Sequence, residues 1–569
     1  MKSAESVQNR ESGFVQRAAW LTTANSIAFA LSFIAPLLLV RLLNQTEFGL
    51  YKQVFQILMT ATSALNLQVA STAYYFMPRA PEKKLQVTIN VLTFYGVIGS
   101  LVAALFILYP DCALLVFKSE DLPAYMPLLG VTILLWLISS NLEVIPLALG
   151  DVRSSSGFIV ISQLTKSALT ISAALAFHSV RAMICAAIIQ GLLQISLLVI
   201  YIRRRFGSFH GAFDRMLFKE QIGNAIPYGI GSFAQTAQAD LHNYVVSRFF
   251  PPAGFAIYSV GLFQLPLLGL LTTSFGNALI PEISRLAAAG DQRSIIPVWL
   301  NAVRKLALVI VPGCALMFVL RYEIITLLFT SDYIEAAPLF GIYLFCALLP
   351  MTLTGSLIRA HEEFKYFRLK LHLTLLPVTF GALYVGIHLA GLTGATFALV
   401  ALQTLEATVV LIAVGRRLGF VVSDLRHLTP ALWTAIAATT AGIVAYMTKV
   451  PLTNTHTLIR MIICAIMFGL VYVIASYVMG AVTEDEKAGF RRALSRALSQ
   501  KGGDRRVIHG HPLSEVIYKK NILRTDAEKS RKRRQEQETE NASLFAFYFL
   551  FVMCFFVAHA LRPAFINVS

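Results

Sequence analysis

Long apolar runs constrain this chain more than any other feature. They lie near 18–42, 49–76, 85–109, 125–149, 157–177 and 181–202, then near 222–248, 254–280, 296–320, 337–359, 367–390 and 392–415, and finally near 429–448 and 458–480. A helix needs about 20 apolar residues to cross a hydrocarbon layer of roughly 30 Å. Inside that layer every backbone polar group must be bonded within the protein, which leaves helices as the natural spanning element. Each run is therefore expected to be one membrane span. A polar stretch, 481–542, is followed by a further run, 543–561, long enough to make a fifteenth. Composition agrees: 56% of the 569 residues are hydrophobic and 14% are charged, against about 25% charge in soluble chains. The expected class is an all-α polytopic membrane protein.

The net charge of +17 raises nucleic acid as a partner. The basic residues, however, sit in short loops between apolar runs. Alternate loops hold Arg79, Lys83 and Lys84; Arg203, Arg204, Arg205, Arg215 and Lys219; Arg285, Arg293, Arg304 and Lys305; Arg359, Lys365, Arg368 and Lys370; and Arg416, Arg417 and Arg426. The loops between them are short or acidic, as at Glu120-Asp121. That is the charge bias of cytoplasmic loops, so the expectation is a cytoplasmic N-terminus, a multi-pass protein of the cell (inner) membrane, and no nucleic acid. The N-terminal residues 1–17 are polar, and the run that follows is too long for a cleavable signal. The six cysteines have no CxxC spacing, so no metal site is indicated.

The 481–542 segment holds fifteen Lys/Arg against ten Asp/Glu, including a basic block at 529–534. It reads as a solvated cytoplasmic linker attracted to anionic lipid, with protein docking as the other reading. Residues 483–499 have an amphipathic helical pattern, acids first and arginines later, which suits the helix dipole.

An internal repeat organises the spans. Residues 40–51 set above residues 247–258 place Arg41 on Arg248, Phe48 on Phe255 and Tyr51 on Tyr258, at a constant offset of 207. Each segment joins the first and second spans of its half. Six spans re-enter with the same orientation, so the repeat is parallel.

The same residues carry a resemblance. Arg41-Leu-Leu-Asn-Gln-Thr-Glu-Phe-Gly-Leu-Tyr51 resembles the first-loop signature of Wzx-type polysaccharide flippases, members of the multidrug, oligosaccharidyl-lipid and polysaccharide exporter superfamily. Ile280–Arg285, Leu327–Tyr333 and Gly391–Ala395 are similar to that family's motifs at the end of span eight, in the ninth-to-tenth loop and at the entry to span twelve. The resemblance covers roughly 14–480. Asn44 departs from the usual glycine, and Gln68 stands where the family often has glycine. The resemblance implies two six-helix lobes around a central cavity and two peripheral helices. The chain then divides into an N-lobe (1–205, spans 1–6), a C-lobe (206–417, spans 7–12), peripheral spans 13 and 14 (418–480), the basic linker (481–542) and span fifteen (543–561). It also implies movement of a polyprenyl-pyrophosphate-linked oligosaccharide to the outer leaflet for surface polysaccharide such as O-antigen, lipopolysaccharide or exopolysaccharide. Expected partners are that substrate, membrane lipids, and a polymerase or glycosyltransferases.

Polar groups inside spans are costly and are candidates for function. In span seven, Asn224, Tyr228, Gly231, Gln235, Gln238 and His242 recur at three- and four-residue steps, which puts them on one helix face. Thr236, Asp240, Asn243 and Ser247 make a second strip. These are either cavity walls or interhelical hydrogen-bonding groups. Amide side chains both donate to and accept from sugar hydroxyls. Span one adds Asn25, and span two adds Gln53 and Gln56. Lys166 in span five lies too far from either end to reach headgroups easily; Glu143 and Glu406 are in spans four and twelve. Asp240 or His242 could take a coupling proton or a cation such as sodium, or Asp240 could pair with Lys166; no other cofactor is indicated. For the pyrophosphate, Arg17, Arg41, Arg248 and Arg359 are candidates, because a guanidinium meets phosphate oxygens bidentately; snorkelling to headgroups is the alternative for each.

Two other functions compete. A multidrug or peptidoglycan-precursor exporter of the same superfamily is the first; fourteen spans favour the polysaccharide and precursor branches. A membrane glycosyltransferase or polymerase is the second. It needs a sizeable outer loop, whereas the longest here, near 110–124 and 321–336, are short. No HExxH, Walker A or GxSxG pattern stands in a suitable context, so the expectation is not an enzyme.

Overall fold

The computed structural model describes residues 2–207, 213–264, 266–361, 364 and 366–482, with side chains from residue 20 onward except at 266, 267 and 422. Residues from 483 on, which hold most of the basic linker and the expected fifteenth span, lie outside the described residues. The described chain is all-helical. The first six expected spans are α1 (Lys2–Leu42), α2 and α3 (Gln45–Leu65, Thr72–Arg79), α4 (Lys84–Leu108), α5 and α6 (Met126–Ser139, Asn141–Ala148), α7 (Val152–Phe177) and α8 (Val180–Phe206). The next six are α9 (Arg215–Phe249), α10 and α11 (Pro252–Gly261, Pro266–Ala288), α12 (Gln292–Val319), α13 to α15 (Arg321–Phe329, Ala336–Tyr343, Thr354–Arg359) and α16 (Phe367–Leu418), which covers two spans. The pair α17 (Thr429–Lys449) and α18 (Thr457–Val478) completes the series.

Ten segments among the described residues are long and apolar enough to cross a membrane. One of them, α16, bends back on itself at Ala390 and Gly391 (φ 56°), so it supplies spans eleven and twelve. The expected spans missing from the ten are the second, seventh and eighth. The second and eighth are broken, and the seventh carries the polar strips.

Helix ends follow ordinary capping chemistry. Asp151, Asp214 and Asp291 accept from the first-turn amides of α7, α9 and α12. Asn44 caps α2 and forms a reciprocal box with Glu47, which gives asparagine a role at the position where the resemblance leads to an expectation of glycine. The sequence repeat is visible in the helix bounds. The first helix of each half ends at Leu42 and Phe249, and the second begins at Gln45 and Pro252, both pairs 207 residues apart.

The chain forms two compact units. The first comprises 1–269, 321–346 and 362–406; the second comprises 270–320, 347–361 and from 407 on. In the first unit, Met77, Val87, Leu142, Ile145, Leu198, Ile202 and Leu217 make one buried cluster. Val245, Val246, Phe255, Tyr258, Leu383 and Ile387 make another. In the second unit, Ala441 and Ala445 of α17 pack with Val319 of α12 and Phe468 of α18. Small residues let membrane helices approach closely, and the alanine face of α17 (Ala437, Ala438, Ala441, Ala445) is wholly buried.

The break in the second span, between α2 and α3, is held by the chain's own chemistry. Leu67 and Gln68 have φ of 44° and 59°, the left-handed region that costs a side-chain-bearing residue about 1–2 kcal/mol. The fully buried Tyr95 hydroxyl donates to the Asn66 carbonyl and accepts from the Ala70 amide, both at 2.9 Å. A side chain inserted into the backbone ladder is a recognised cause of a kink. Gly229 of α9 lies against Leu67, where an added Cβ would stand 2.6 Å from the Leu67 carbonyl oxygen. Position 68, where the resemblance leads to an expectation of glycine, is thus one whose backbone favours glycine. Tyr95→Phe is expected to remove the partner of the Ala70 amide, leave the Asn66 carbonyl with the Val69 amide at 3.1 Å, and lower stability by about 1–3 kcal/mol. Thermal unfolding of the purified protein in detergent checks this; an unchanged midpoint would mean that the hydroxyl does not hold the break.

Candidate functional site

The motifs that carry the family resemblance build joints. In the first loop, the Arg41 guanidinium donates to the Leu37 carbonyl at 2.7 Å and to the Leu327 carbonyl at 2.6 Å. Gln45 donates to the Asp332 carbonyl. The fully buried Phe48 ring meets Tyr333 edge-on at 5.9 Å. The first-loop and ninth-to-tenth-loop motifs therefore pack on each other. Gly49 takes the carbonyl of Pro252 so closely that no Cβ fits. At the entry to span twelve, Gly391 supplies the left-handed turn, while Gly386 and Gly394 cross with each backbone against the other's carbonyl. In the second unit, Glu282 and Arg285 form an exposed ion pair at 2.6 Å. Arg41, expected as a pyrophosphate contact, is instead occupied with two backbone carbonyls.

Polar side chains of span two face those of span seven in antiparallel order. Gln56 donates to Thr60 at 3.0 Å, and Thr60 donates to the Asp240 carboxylate at 2.5 Å. Gln68 donates to Ser232 at 3.4 Å. Gln221 donates to Thr72 at 3.2 Å and accepts from Asn90 at 3.0 Å. At the N-terminal end of α9, Lys83 pairs with Asp214 at 3.1 Å. The Leu217 amide, followed by the Lys83 ammonium, holds the Asp214 carboxyl below the usual carboxylate range. Asp240 therefore has Thr60 as its bonded neighbour and not Lys166, the ion pair considered from the sequence. Ser247, on the same strip, is fully buried.

The other strip of span seven divides. Asn224, Tyr228 and Gln235 are exposed, Tyr228 by 59%. Gln238 turns into the bundle: its amide nitrogen donates to Glu406 at 3.2 Å, and its oxygen accepts from His372 Nδ1 at 2.8 Å. His372 Nδ1 also lies 3.8 Å from the Glu406 carboxylate. The amide geometry makes Nδ1 the donor, so Nε2 is the ring nitrogen left to take a proton; it is buried and has no hydrogen-bond partner. Spans seven, eleven and twelve thus meet in a His–Gln–Glu triad in which His372 is buried and Gln238 and Glu406 are partly buried. His372 was not singled out from the sequence. The available signal was an imidazole inside span eleven, which reads equally as a satisfied core residue. His242 Nδ1 lies 3.0 Å from the fully buried Tyr258 hydroxyl.

The remaining candidates have distinct surroundings. Asn25 is exposed on α1 and donates to its own helix at Leu21. Gln53, expected on a cavity wall, is fully buried in helix packing, and its amide has no hydrogen-bond partner. The Lys166 ammonium stands 4.7 Å from the centre of the Trp136 ring, and Glu143 is the carboxylate that acts on it. Arg248 is exposed at the end of α9. Arg359 is exposed and donates to Gly355 at 3.2 Å. The Arg17 side chain lies outside the described residues. Among the described residues, no group of three or more His, Cys, Asp or Glu could hold a metal ion.

Comparison with known proteins places this architecture. No curated protein sequence is significantly similar to the chain. The structure is similar to that of the lipid II flippase MurJ in an inward closed conformation, with 14% identity, a TM-score of 0.59, and coverage of 80% of this chain and 98% of the other. It is also similar to an inward-facing multidrug resistance MATE family transporter of the MOP superfamily, with 15% identity, a TM-score of 0.53, and coverage of 69% and 94%. At those identities the likeness is one of fold, and both folds have two lobes of six helices. Residues 14–287 match the family described as polysaccharide biosynthesis protein. Over that segment the chain carries the signature of the polysaccharide biosynthesis protein family, on the fold that a lipid II flippase and a MATE transporter share.

Proposed function

We propose that the protein moves a polyprenyl-pyrophosphate-linked oligosaccharide from the cytoplasmic to the outer leaflet of the cell membrane by alternating access. The observation that carries this reading is the seventh span. Two of its amide side chains, Asn224 and Gln235, are exposed, and Gln238, Asp240 and His242 make contacts with neighbouring helices. Exposed amides on a span of a membrane bundle suit sugar hydroxyls, because each can donate and accept. The family match over 14–287 supports a polysaccharide precursor as the cargo, and the fold supports transport over catalysis. In this reading a central cavity between two six-span lobes takes the glycan while the lipid tail stays in the bilayer. The N-terminus is cytoplasmic, and a polymerase or glycosyltransferases are the working partners.

The coupling ion in this reading is a proton, and its carrier is the triad of His372, Gln238 and Glu406. A proton taken up at Nε2 of His372 would make the ring a cation whose Nδ1 lies 3.8 Å from the Glu406 carboxylate. Intramembrane ionisable groups in contact with one another are the usual material of proton relays.

Spheroplasts of cells lacking the protein test the function. The lipid-linked oligosaccharide is expected to stay inaccessible to a glycan-labelling reagent added outside. It should become accessible when the protein is restored. Equal labelling with and without the protein would overturn the reading.

A further inference from the structure

Where α2 meets α9, two fully buried polar side chains lack partners. Gln53 of α2 and Ser247 of α9 are each 0% exposed, and neither the Gln53 amide nor the Ser247 hydroxyl has a hydrogen-bond partner among the described residues. Direct contacts on both sides bring them to one level. Thr60 donates to Asp240 at 2.5 Å. The two helices are antiparallel there, and Gln53 and Ser247 each lie seven residues from that bond, about 10 Å along their helices. Seven residues is within about 20° of two full turns, so both stay on the faces that meet at Thr60 and Asp240. One turn beyond Gln53, a Cβ on Gly49 would overlap the Pro252 carbonyl, so the seam is still closed there. The loop after α4 covers this end. The Lys118 amide donates to the Ser247 carbonyl at 2.9 Å, and the Phe117 ring meets Tyr244 edge-on at 5.6 Å. Ser119, the next residue, is 3% exposed and adds a second unpartnered hydroxyl.

We propose that this seam binds a short file of water, anchored by Ser119, Ser247 and Gln53, through which Asp240 exchanges protons with the outer face. The donor set selects the ligand. Gln53 offers two N–H donors and a carbonyl acceptor, so whatever meets it must both accept and donate. A bare cation cannot accept from the N–H groups, and an anion cannot donate to the carbonyl. The three side chains are neutral and call for no counter-ion. Water satisfies all of them, and bound water is the usual partner of buried polar groups that the protein itself leaves unmet. Gln56, three residues from Gln53 and four from Thr60, continues the same face and donates to Thr60 at 3.0 Å. The polar face thus runs without a gap to the carboxylate. A proton moves when each water passes one on and receives one from behind. The file ends unchanged, and Asp240 gains or releases one proton at Oδ1, because Oδ2 is held by Thr60. The inference rests on the transport reading only for which side is outer; the file itself does not depend on the cargo.

The test is water-edited solid-state NMR of the full-length protein in lipid bilayers, with glutamine and aspartate side chains labelled. Magnetisation is expected to pass from water to the Gln53 amide and the Asp240 carboxylate. Gln53→Leu with Ser247→Ala should lose the transfer to Asp240, while the exposed Asn224 and Gln235 keep contact with water. Should the double variant fail to fold, Gln53→Asn assigns the amide signal and the native spectrum decides. No transfer to the Gln53 amide of the native protein would overturn the proposal. So would undiminished transfer to Asp240 in the double variant, since water would then arrive by another route. The side is read separately from Lys118→Cys, at an exposed position of the covering loop. An impermeant maleimide should label it in intact spheroplasts above the level of the native cysteines. Labelling only after the cells are opened would overturn exchange with the outer face and the proposed orientation, and leave the water file standing.

Discussion

Replacing Gly49 with valine is expected to remove nearly all folded protein from the membrane. A Cβ at this position would overlap the carbonyl oxygen and carbon of Pro252. These are backbone atoms at the start of α10, a helix whose Phe255 and Ala256 are buried, and they cannot swing aside as a side chain could. Overpacking in well-packed cores costs about 1–3 kcal/mol and occasionally more; an overlap with backbone belongs at the upper end. Native stability is only about 5–15 kcal/mol, and a loss of this size at the joint between the repeat halves falls on both at once. The monodisperse fraction after detergent extraction is the readout. Gly96→Val and Gly157→Val are the controls, since nothing stands near a Cβ at either position. A Gly49→Val protein extracted as well as these controls would show that the α2–α10 contact is looser than described.

The second large effect is expected at the triad. Glu406→Gln keeps the shape and removes the charge that Gln238 and His372 share. A hydrogen bond to a charged group is worth about 1.5–3 kcal/mol, a factor of roughly ten to one hundred. Translocation driven by an imposed proton gradient should fall by that factor, while gradient-free equilibration between leaflets should be retained. His372→Gln, which cannot take a proton, should give the same split. Loss of both activities together would indicate a structural role, and retention of both would exclude the triad as the coupling site.

Much of the architecture was legible because lipid imposes few choices. All fourteen expected spans of the core correspond to helices, since length and apolarity alone set them. The 207-residue offset recurs in the helix bounds at Leu42 and Phe249 and at Gln45 and Pro252. What hydropathy could not reveal was continuity. The break at Leu67–Gln68 depends on the Tyr95 hydroxyl, a contact 25 and 29 residues away in the chain, and an apolar run looks the same whether bent or straight.

The site was less legible, for a different reason. The recognisable motifs turned out to be caps, turns and close crossings, as Arg41, Glu47, Phe48, Gly49 and Gly394 demonstrate. Such positions tolerate few residue types, so they are the easiest to recognise. Periodicity put Gln238 beside Asn224 on one face of span seven, but only the neighbouring helices decide that Gln238 meets His372 and Glu406 while Asn224 stays open. Partners from spans eleven and twelve, well over one hundred residues away in the chain, leave no local trace.

The most direct measurement uses reconstituted proteoliposomes. Purified protein is incorporated with a fluorescent polyprenyl-pyrophosphate-linked oligosaccharide on both leaflets, and a glycan-cleaving enzyme is added outside. The account predicts that vesicles with the protein lose the whole glycan signal, because inner-leaflet substrate is carried out to the enzyme. Vesicles without it should lose only the outer-leaflet share. Equal cleavage in the two preparations, with the protein folded and the vesicles sealed, would contradict it.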